Sequence, residues 1–470
     1  MSNSQVAIPL SKRDKMLVVV GSCIFMFFMA GNGTALAISQ KFLLEKFGGL
    51  EYFSIATILI SLGTTIMTPI GGALGIIFGR RNLMVVSGLV AFITTVAVVY
   101  ATNIYVYLFL IIANGLAKGA FTATPYILMS LINERKDIPK SMGLLASSVS
   151  AGTLVASLLS GVFNDMGQTE LGIILTSVTV LIGIVFIYMG LPNAKSEVKV
   201  KLDLVGMTLL TITMSAFVLA FNFGSSLGWL SPQILAGFAV LVVFGILLVN
   251  YEAKVEKAGG TPVITTSLFK NKEYVAILIV GVTLYFYQVV MMNYGTLAAM
   301  DILGANATVA STLTIPRTIV TLVLPTLVGA WVSKKKSNSW LAIAIGSFLL
   351  LVSFAPLLFI SNTMSIVVFF VAFTITGISE SFRAVSVLPA AQETLDEAQI
   401  ATGTSTVSFV NTLAPVLSAT FSGAIFNAAN GDTVLGFRNI VIGTLIVSAI
   451  GLVIVMLVIR PAQMKRYKNN

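Results

Sequence analysis

Residues Pro69 to Asn82 read PIGGALGIIFGRRN, and residues Pro325 to Asn338 read PTLVGAWVSKKKSN. In both, a proline and a run of small and apolar residues lead into a basic cluster that closes on asparagine, at an offset of 256 residues. Two further pairs recur at an offset of 262: Gly33-Thr34 in GNGTALA with Gly295-Thr296 in NYGTLA, and SGVFNDMG from Ser160 with SGAIFNAANG from Ser422. A single match between apolar segments is weak. Their shared order and nearly shared offset mark a chain built twice from one unit.

Outward from these matches the chain is too apolar for a water-soluble surface. Of 470 residues, 57% are hydrophobic and 10% charged, with a mean hydropathy of +0.97. Fourteen apolar stretches, each about 20 residues and so long enough to cross the hydrocarbon as a helix, follow one another from 16–38 to 436–459. The predicted fold class is therefore an all-α polytopic membrane protein with 14 transmembrane helices. Each repeat joins spans eight apart, which gives six spans, an extra pair, and six more in the same orientation. The expected divisions are an N-terminal six-helix bundle at 1–191, cytoplasmic linkers with an inserted pair (spans 7 and 8) at 192–272, and a C-terminal six-helix bundle at 273–470. Parallel repeats of this kind enclose a site at mid-membrane between their halves. The first span is too long for a signal-peptide core and is expected to stay in the protein.

Basic residues set the orientation. With both termini cytoplasmic, only Lys41, Lys46 and Arg438 of the 28 lysines and arginines fall outside, and Lys118, Arg317 and Arg383 are embedded. All the others face inward, among them Lys195, Lys199, Lys201 and Lys336. The net charge of +10 is thus a topology signal that needs lipid headgroups and no nucleic acid. The expected location is the cell (plasma) membrane. One cysteine, Cys23, excludes an intrachain disulfide, and the lack of histidine removes the commonest proton relay and metal ligand. No cluster of metal-ligand spacing, nucleophile elbow or phosphate loop stands out, so no enzyme, cofactor or metal is predicted, and the chain is expected to act as a monomer.

Four ionisable residues lie inside the apolar runs: Lys118, Arg317, Glu380 and Arg383. Such a group costs roughly 2.5–3.5 kcal/mol at the bilayer centre even on lenient scales, so it faces a wet cavity or a partner. Asn114, Lys118 and Thr122 form one stripe at i, i+4 and i+8, and Thr376, Ser379, Glu380 and Arg383 form another. The 262 offset aligns Lys118 with Glu380, which sets them as candidates to face each other across a cavity or to pair. Glu380 and Arg383 at i and i+3 can also neutralise each other locally. Arg317, following Pro316, is expected to snorkel toward the outer interface.

The loop after the second span resembles a known signature. The major facilitator superfamily, in its fourteen-helix drug:proton antiporter branch, carries G-x-L-x-D-R-x-G-R-R, which meets Gly72-Ala73-Leu74-Gly75-Ile76-Ile77-Phe78-Gly79-Arg80-Arg81. The resemblance covers essentially the whole chain and implies a gating loop at Gly72, Gly79, Arg80 and Arg81. The pattern's acid and first arginine are Ile76 and Ile77 here, so its charge relay cannot operate unchanged. The branch's G-P-x-x-G-G turn meets Ala156-Ser157-Leu158-Leu159-Ser160-Gly161 without the proline. Its first-span acid is Asn32, and R-x-x-Q-G meets Gly115-Leu116-Ala117-Lys118-Gly119. The resemblance further implies that spans 1, 4, 9 and 12 line the central cavity.

On those spans, the candidate substrate contacts are Asn32 and Phe28; Asn114, Lys118 and Thr122; Tyr287, Gln288, Met291 and Tyr294; and Ser379 and Arg383, with Glu380 as candidate proton carrier. Aromatic and thioether faces with few polar groups suit an amphipathic organic ligand. Helix packing is the plainer use of the same stripes. Three embedded cations against one carboxylate favour an organic anion carried by alternating access, coupled to protons through Glu380. The alternative is a multidrug:proton antiporter exporting hydrophobic or cationic drugs, and a membrane sensor or embedded enzyme is a third.

Overall fold

The structure, a computed structural model, describes residues 10–192, 203–260, 262–305, 307–335, 338–429 and 431–468. Lys195, Lys199, Lys201 and Lys336, and most of the linker at 192–203, lie outside the described residues. Fourteen helices are long and apolar enough to cross a membrane. Spans 1 to 6 are Lys12–Glu45, Ile55–Ile77, Arg80–Val99, Ile104–Ile132, Arg135–Asp165 and Thr169–Gly190; spans 7 and 8 are Leu204–Gly224 and Pro232–Lys257. Spans 9 to 14 are Lys272–Asp301, Thr314–Lys334, Asn338–Phe359, Ile366–Glu393, Ile400–Asn427 and Thr433–Tyr467. Helix is the required answer here, because a backbone crossing hydrocarbon must satisfy its own N–H and C=O groups.

Local sequence sets where these helices begin. Ser11, Asn103, Asp203, Asn271, Ser365 and Asp432 each accept a hydrogen bond from a first-turn amide, the usual N-cap arrangement. Between spans 2 and 3 the chain reverses at Gly79, whose φ of 84° only glycine adopts readily. Span 4 breaks between Thr122 and Thr124, with Pro125 opening its second segment. Span 9 carries a π turn at Val290–Gly295, a distortion that helices use mostly at functional positions.

Spans 1, 5 and 6 pack together, as do spans 2, 3 and 4, and the second group of six repeats this with spans 10, 11 and 12 and spans 9, 13 and 14. The two groups meet along span 5 against spans 10 and 12 and along span 2 against span 13, while span 7 leans on spans 2 and 13 and span 8 pairs with span 7. Small residues make the crossings possible, as expected where lipid offers no competing hydrophobic drive. A Cβ on Gly143 would lie 2.5 Å from the Pro325 carbonyl oxygen, and one on Gly329 2.5 Å from that of Pro139. A Cβ on Gly72 would lie closer still to the Ser405 hydroxyl of span 13.

These crossings sit toward the end of the bundle that bears both chain termini, because an even number of spans returns the chain to its starting side. At the same end Ser130 donates to Gln392 across the halves at 2.7 Å, Ser147 meets Thr326 at 3.1 Å, and Ile127 and Leu131 pack with Ala401 and Ile76. Toward the other end, Cβ positions at Gly33 of span 1 and Gly161 of span 5 meet nothing within 4 Å. The two halves are therefore closed together at the terminal face.

Candidate functional site

Lys118 lies one turn before the break in span 4 and is 4% exposed. Its Nζ donates to Asn32 Oδ1 of span 1 at 3.0 Å. Thr95 of span 3 donates to the same oxygen at 3.4 Å, and Asn114 donates to the hydroxyls of Thr94 and Thr95 at 3.1 and 2.9 Å and to the Ala91 carbonyl at 3.1 Å. Thr122 completes the stripe by bonding the Lys118 carbonyl at 2.8 Å and the Met29 sulfur at 3.5 Å. Around this network Phe25 and Phe28 pack on Phe121. Asn32 Nδ2 and Asn114 Oδ1 are buried without a partner. The ammonium thus rests on one amide oxygen, itself part of a network of amides and hydroxyls, and among the described residues no carboxylate forms an ion pair with it.

The second pole lies in span 12. Arg383 Nε donates to Glu380 Oε2 at 2.9 Å and Nη2 to Oε1 at 2.5 Å, a bidentate pair within one helix. Tyr287 of span 9 donates to Glu380 Oε2 at 3.3 Å, and Arg317 Nη2 donates to the Tyr287 oxygen at 3.1 Å. The Arg383 guanidinium also lies 4.3 Å over the ring of Tyr285. Tyr126, beyond the break in span 4, packs against the buried apolar cluster that also holds Tyr287 of span 9 and Val387 of span 12.

Several expectations need correction. Arg317 does not snorkel: span 10 is pressed against Gly377, where a Cβ would lie 2.9 Å from the Arg317 carbonyl, and its side chain turns inward to Tyr287. Lys118 and Glu380 do not pair, since Asn32 holds the one and Arg383 the other. Ser379 is buried and donates to the Gly346 carbonyl of span 11 at 2.8 Å, away from Glu380. Phe28 and Met291 are fully buried, whereas Gln288 is half-buried; Tyr294 packs on Phe426 of span 13. In the loop, Arg81 lies 4.9 Å from the centroid of the Tyr188 ring, and Arg80 beside it is the first residue of span 3, which Gly79 precedes as N-cap. Tyr126, Tyr285 and the Ser130–Gln392 bond were missed. Their one sequence signal is that Ser130 and Gln392 stand 262 residues apart, the repeat offset itself.

A fourteen-helix bundle whose halves carry separate buried charges, closed together at one face, has the build of a membrane transporter and not of an enzyme. The chain belongs to the Major Facilitator Superfamily, which it matches over residues 20–419. It is similar to the multidrug transporter protein MdtP of Bacillus subtilis (strain 168), 22% identical over 90% of this chain and 77% of that protein. A probable actinorhodin transporter of Streptomyces coelicolor is 27% identical over 54% of this chain and 45% of its own length. Among solved structures, the human organic anion transporter MFSD10 superposes with a TM-score of 0.65 at 12% identity, covering 94% of this chain and 99% of that one. The proton:xylose symporter XylE does so with 0.62 at 14% identity, covering 92% and 94%. At these identities the structural likeness speaks to fold alone.

Proposed function

We propose that the protein carries a small amphipathic organic anion across the plasma membrane by alternating access of its two six-helix halves, with both termini cytoplasmic. One observation carries this: Lys118 is buried and its ammonium bonds the neutral Asn32, with no carboxylate paired to it among the described residues. A charge so placed is costly unless a counter-ion arrives, and a substrate carboxylate, sulfonate or phosphate supplies one. Asn32, Asn114 and Thr122 position the amine, while the aromatic and thioether side chains Phe28, Tyr287, Met291 and Tyr294 take the apolar body, with Gln288 at its edge. Glu380 is the proposed proton carrier. Protonating its carboxylate breaks the bidentate bond to Arg383 and frees the guanidinium for the substrate's negative group; loss of that proton restores the pair and releases the anion.

A second reading, a multidrug:proton antiporter, is favoured by the names of the relatives. Against it stands the excess of embedded cations over the single Glu380. Uptake and efflux of labelled organic anions and cations in proteoliposomes, with and without a pH gradient, separate the two. The expected result is anion transport that responds to the gradient and loses the response in Glu380→Gln. Efficient cation transport with anions ignored would hand the assignment to the exporter.

A further inference from the structure

The inserted pair, spans 7 and 8, takes no part in either charged pole, yet it carries its own buried charges at the terminal face. Asp203 caps span 7 by accepting from the Gly206 amide at 2.8 Å through Oδ1, which leaves Oδ2 buried and unpartnered. Glu252, near the end of span 8, is 0% exposed. Its Oε2 accepts from the Val263 amide at 3.0 Å, and its Oε1 is buried and unpartnered. The two orphaned oxygens converge: each lies 2.5 Å from the point where a Gly206 Cβ would stand. Only glycine leaves that space open.

Two carboxylates aimed into one dry gap repel each other unless something positive lies between them. Among the described residues no lysine or arginine forms an ion pair with either. The groups facing Glu252 from its surroundings are Asp203 on span 7 and Glu256 on its own span, both acidic, with the Tyr251 hydroxyl close to Asp203. The 262–267 linker contributes backbone amides, with Glu256 Oε2 holding those of Thr266 and Ser267 at 2.9 and 3.1 Å. Spans 2 and 13 contribute apolar side chains, Leu62, Ile66, Ile70 and Phe409, to the same buried cluster as Val263.

We propose that Asp203 Oδ2 and Glu252 Oε1 form a site for one small positive charge, a shared proton or a sodium ion, and that its occupancy holds spans 7 and 8 onto the 262–267 linker. With a proton, the protonated carboxyl donates its O–H to the other carboxylate; with sodium, both oxygens ligate the ion. Because Val263 shares a buried cluster with side chains of spans 2 and 13, the site is linked to the junction of the halves. This proposal is independent of what the transporter carries.

The test is amide hydrogen exchange of the 262–267 segment in the full-length protein in nanodiscs, corrected for intrinsic rates. It is run at acid and alkaline pH, in sodium or choline chloride. At alkaline pH in choline the empty site repels, and protection of Val263 and Ile264 falls about tenfold or more, the weight of one unit of proton affinity. Rescue by sodium at alkaline pH identifies the ion; rescue by acid alone identifies the proton. Glu252→Gln, which keeps an oxygen for Val263, and Asp203→Asn, as a second variant should the first fold poorly, each flatten the dependence. Equal protection in all four conditions, or a wild-type dependence surviving in both variants, overturns the site.

Discussion

At the scale of single residues, two buried charges are handled in opposite ways. Lys118 has a hydrogen-bond acceptor in Asn32 but no counter-ion among the described residues, so its charge stands as a cost that a bound anion offsets. Lys118→Met keeps the length and removes the charge. Thermal unfolding of the empty protein is expected to show a gain of about 1 kcal/mol or more, as when buried ions give way to hydrophobic isosteres. Equilibrium binding of the transported anion is expected to weaken about tenfold or more, the worth of one hydrogen bond to a charged group. A Met variant as unstable as a cavity mutant would make Lys118 a structural prop. Glu380 and Arg383 behave as a unit. Removing either alone strands the other, at about 3–5 kcal/mol, whereas the double change Glu380→Gln, Arg383→Met costs less than the sum. A double-mutant cycle read by chemical unfolding checks this; additive losses would mean the two act separately. Sequence located these groups, because charges inside apolar runs are conspicuous. Their neighbours stayed hidden. The stripe of Thr376, Ser379, Glu380 and Arg383 is wide enough to touch two helices, and the rotation of span 12 decides that Ser379 bonds span 11 while Glu380 meets Tyr287 of span 9. Arg317 was misplaced for the same reason, since its depth in sequence did not reveal which way span 10 turns.

At the scale of elements, close crossings are the parts that must move. Gly143 of span 5 faces backbone, with the Pro325 oxygen at 2.5 Å and carbon at 2.9 Å from a built Cβ, so nothing there can swing aside. Gly143→Val is therefore expected to fold, because its own helix tolerates valine, but to keep spans 5 and 10 apart at the terminal face. Transport falls by an order of magnitude or more, while a cysteine placed on that face becomes reactive to a membrane-impermeant thiol reagent added from the same side. Wild-type turnover with the cysteine still shielded would show that this crossing does not gate. The seam beside it rests on Ile76, Ile127, Leu131 and Ala401, apolar packing where the signature loop places charges. All fourteen spans were legible from hydropathy and length, since hydrocarbon leaves helix as the one economical backbone. Their irregularities were not. The π turn at Val290–Gly295 has no signature in an apolar run, the break in span 4 is marked only by Pro125, and span 1 extends to Glu45 with Leu43 and Leu44 still buried.

At the scale of the whole molecule, the repeat read from PIGGALGIIFGRRN and PTLVGAWVSKKKSN becomes an axis. Ser130 and Gln392, equivalent under the 262-residue offset, bond to each other at 2.7 Å, so the two units meet where their own counterparts coincide. Spans 5 and 10 cross beside that axis, with the hydroxyls of Ser147 and Thr326 only 3.1 Å apart. If transport requires the halves to part at this face, tethering them there stops it. Cys23 is the sole cysteine, so Cys23→Ser supplies a background in which Ser147→Cys and Thr326→Cys can be joined without competition. A mild oxidant is expected to link the pair, to abolish transport in proteoliposomes, and to leave substrate binding from the opposite side intact. Reductant restores the flux. Each single-cysteine variant stays active under oxidant, which separates the tether from damage to either side chain. Cross-linked protein that transports at the wild-type rate would mean that spans 5 and 10 travel together, and that the closed face described here opens elsewhere.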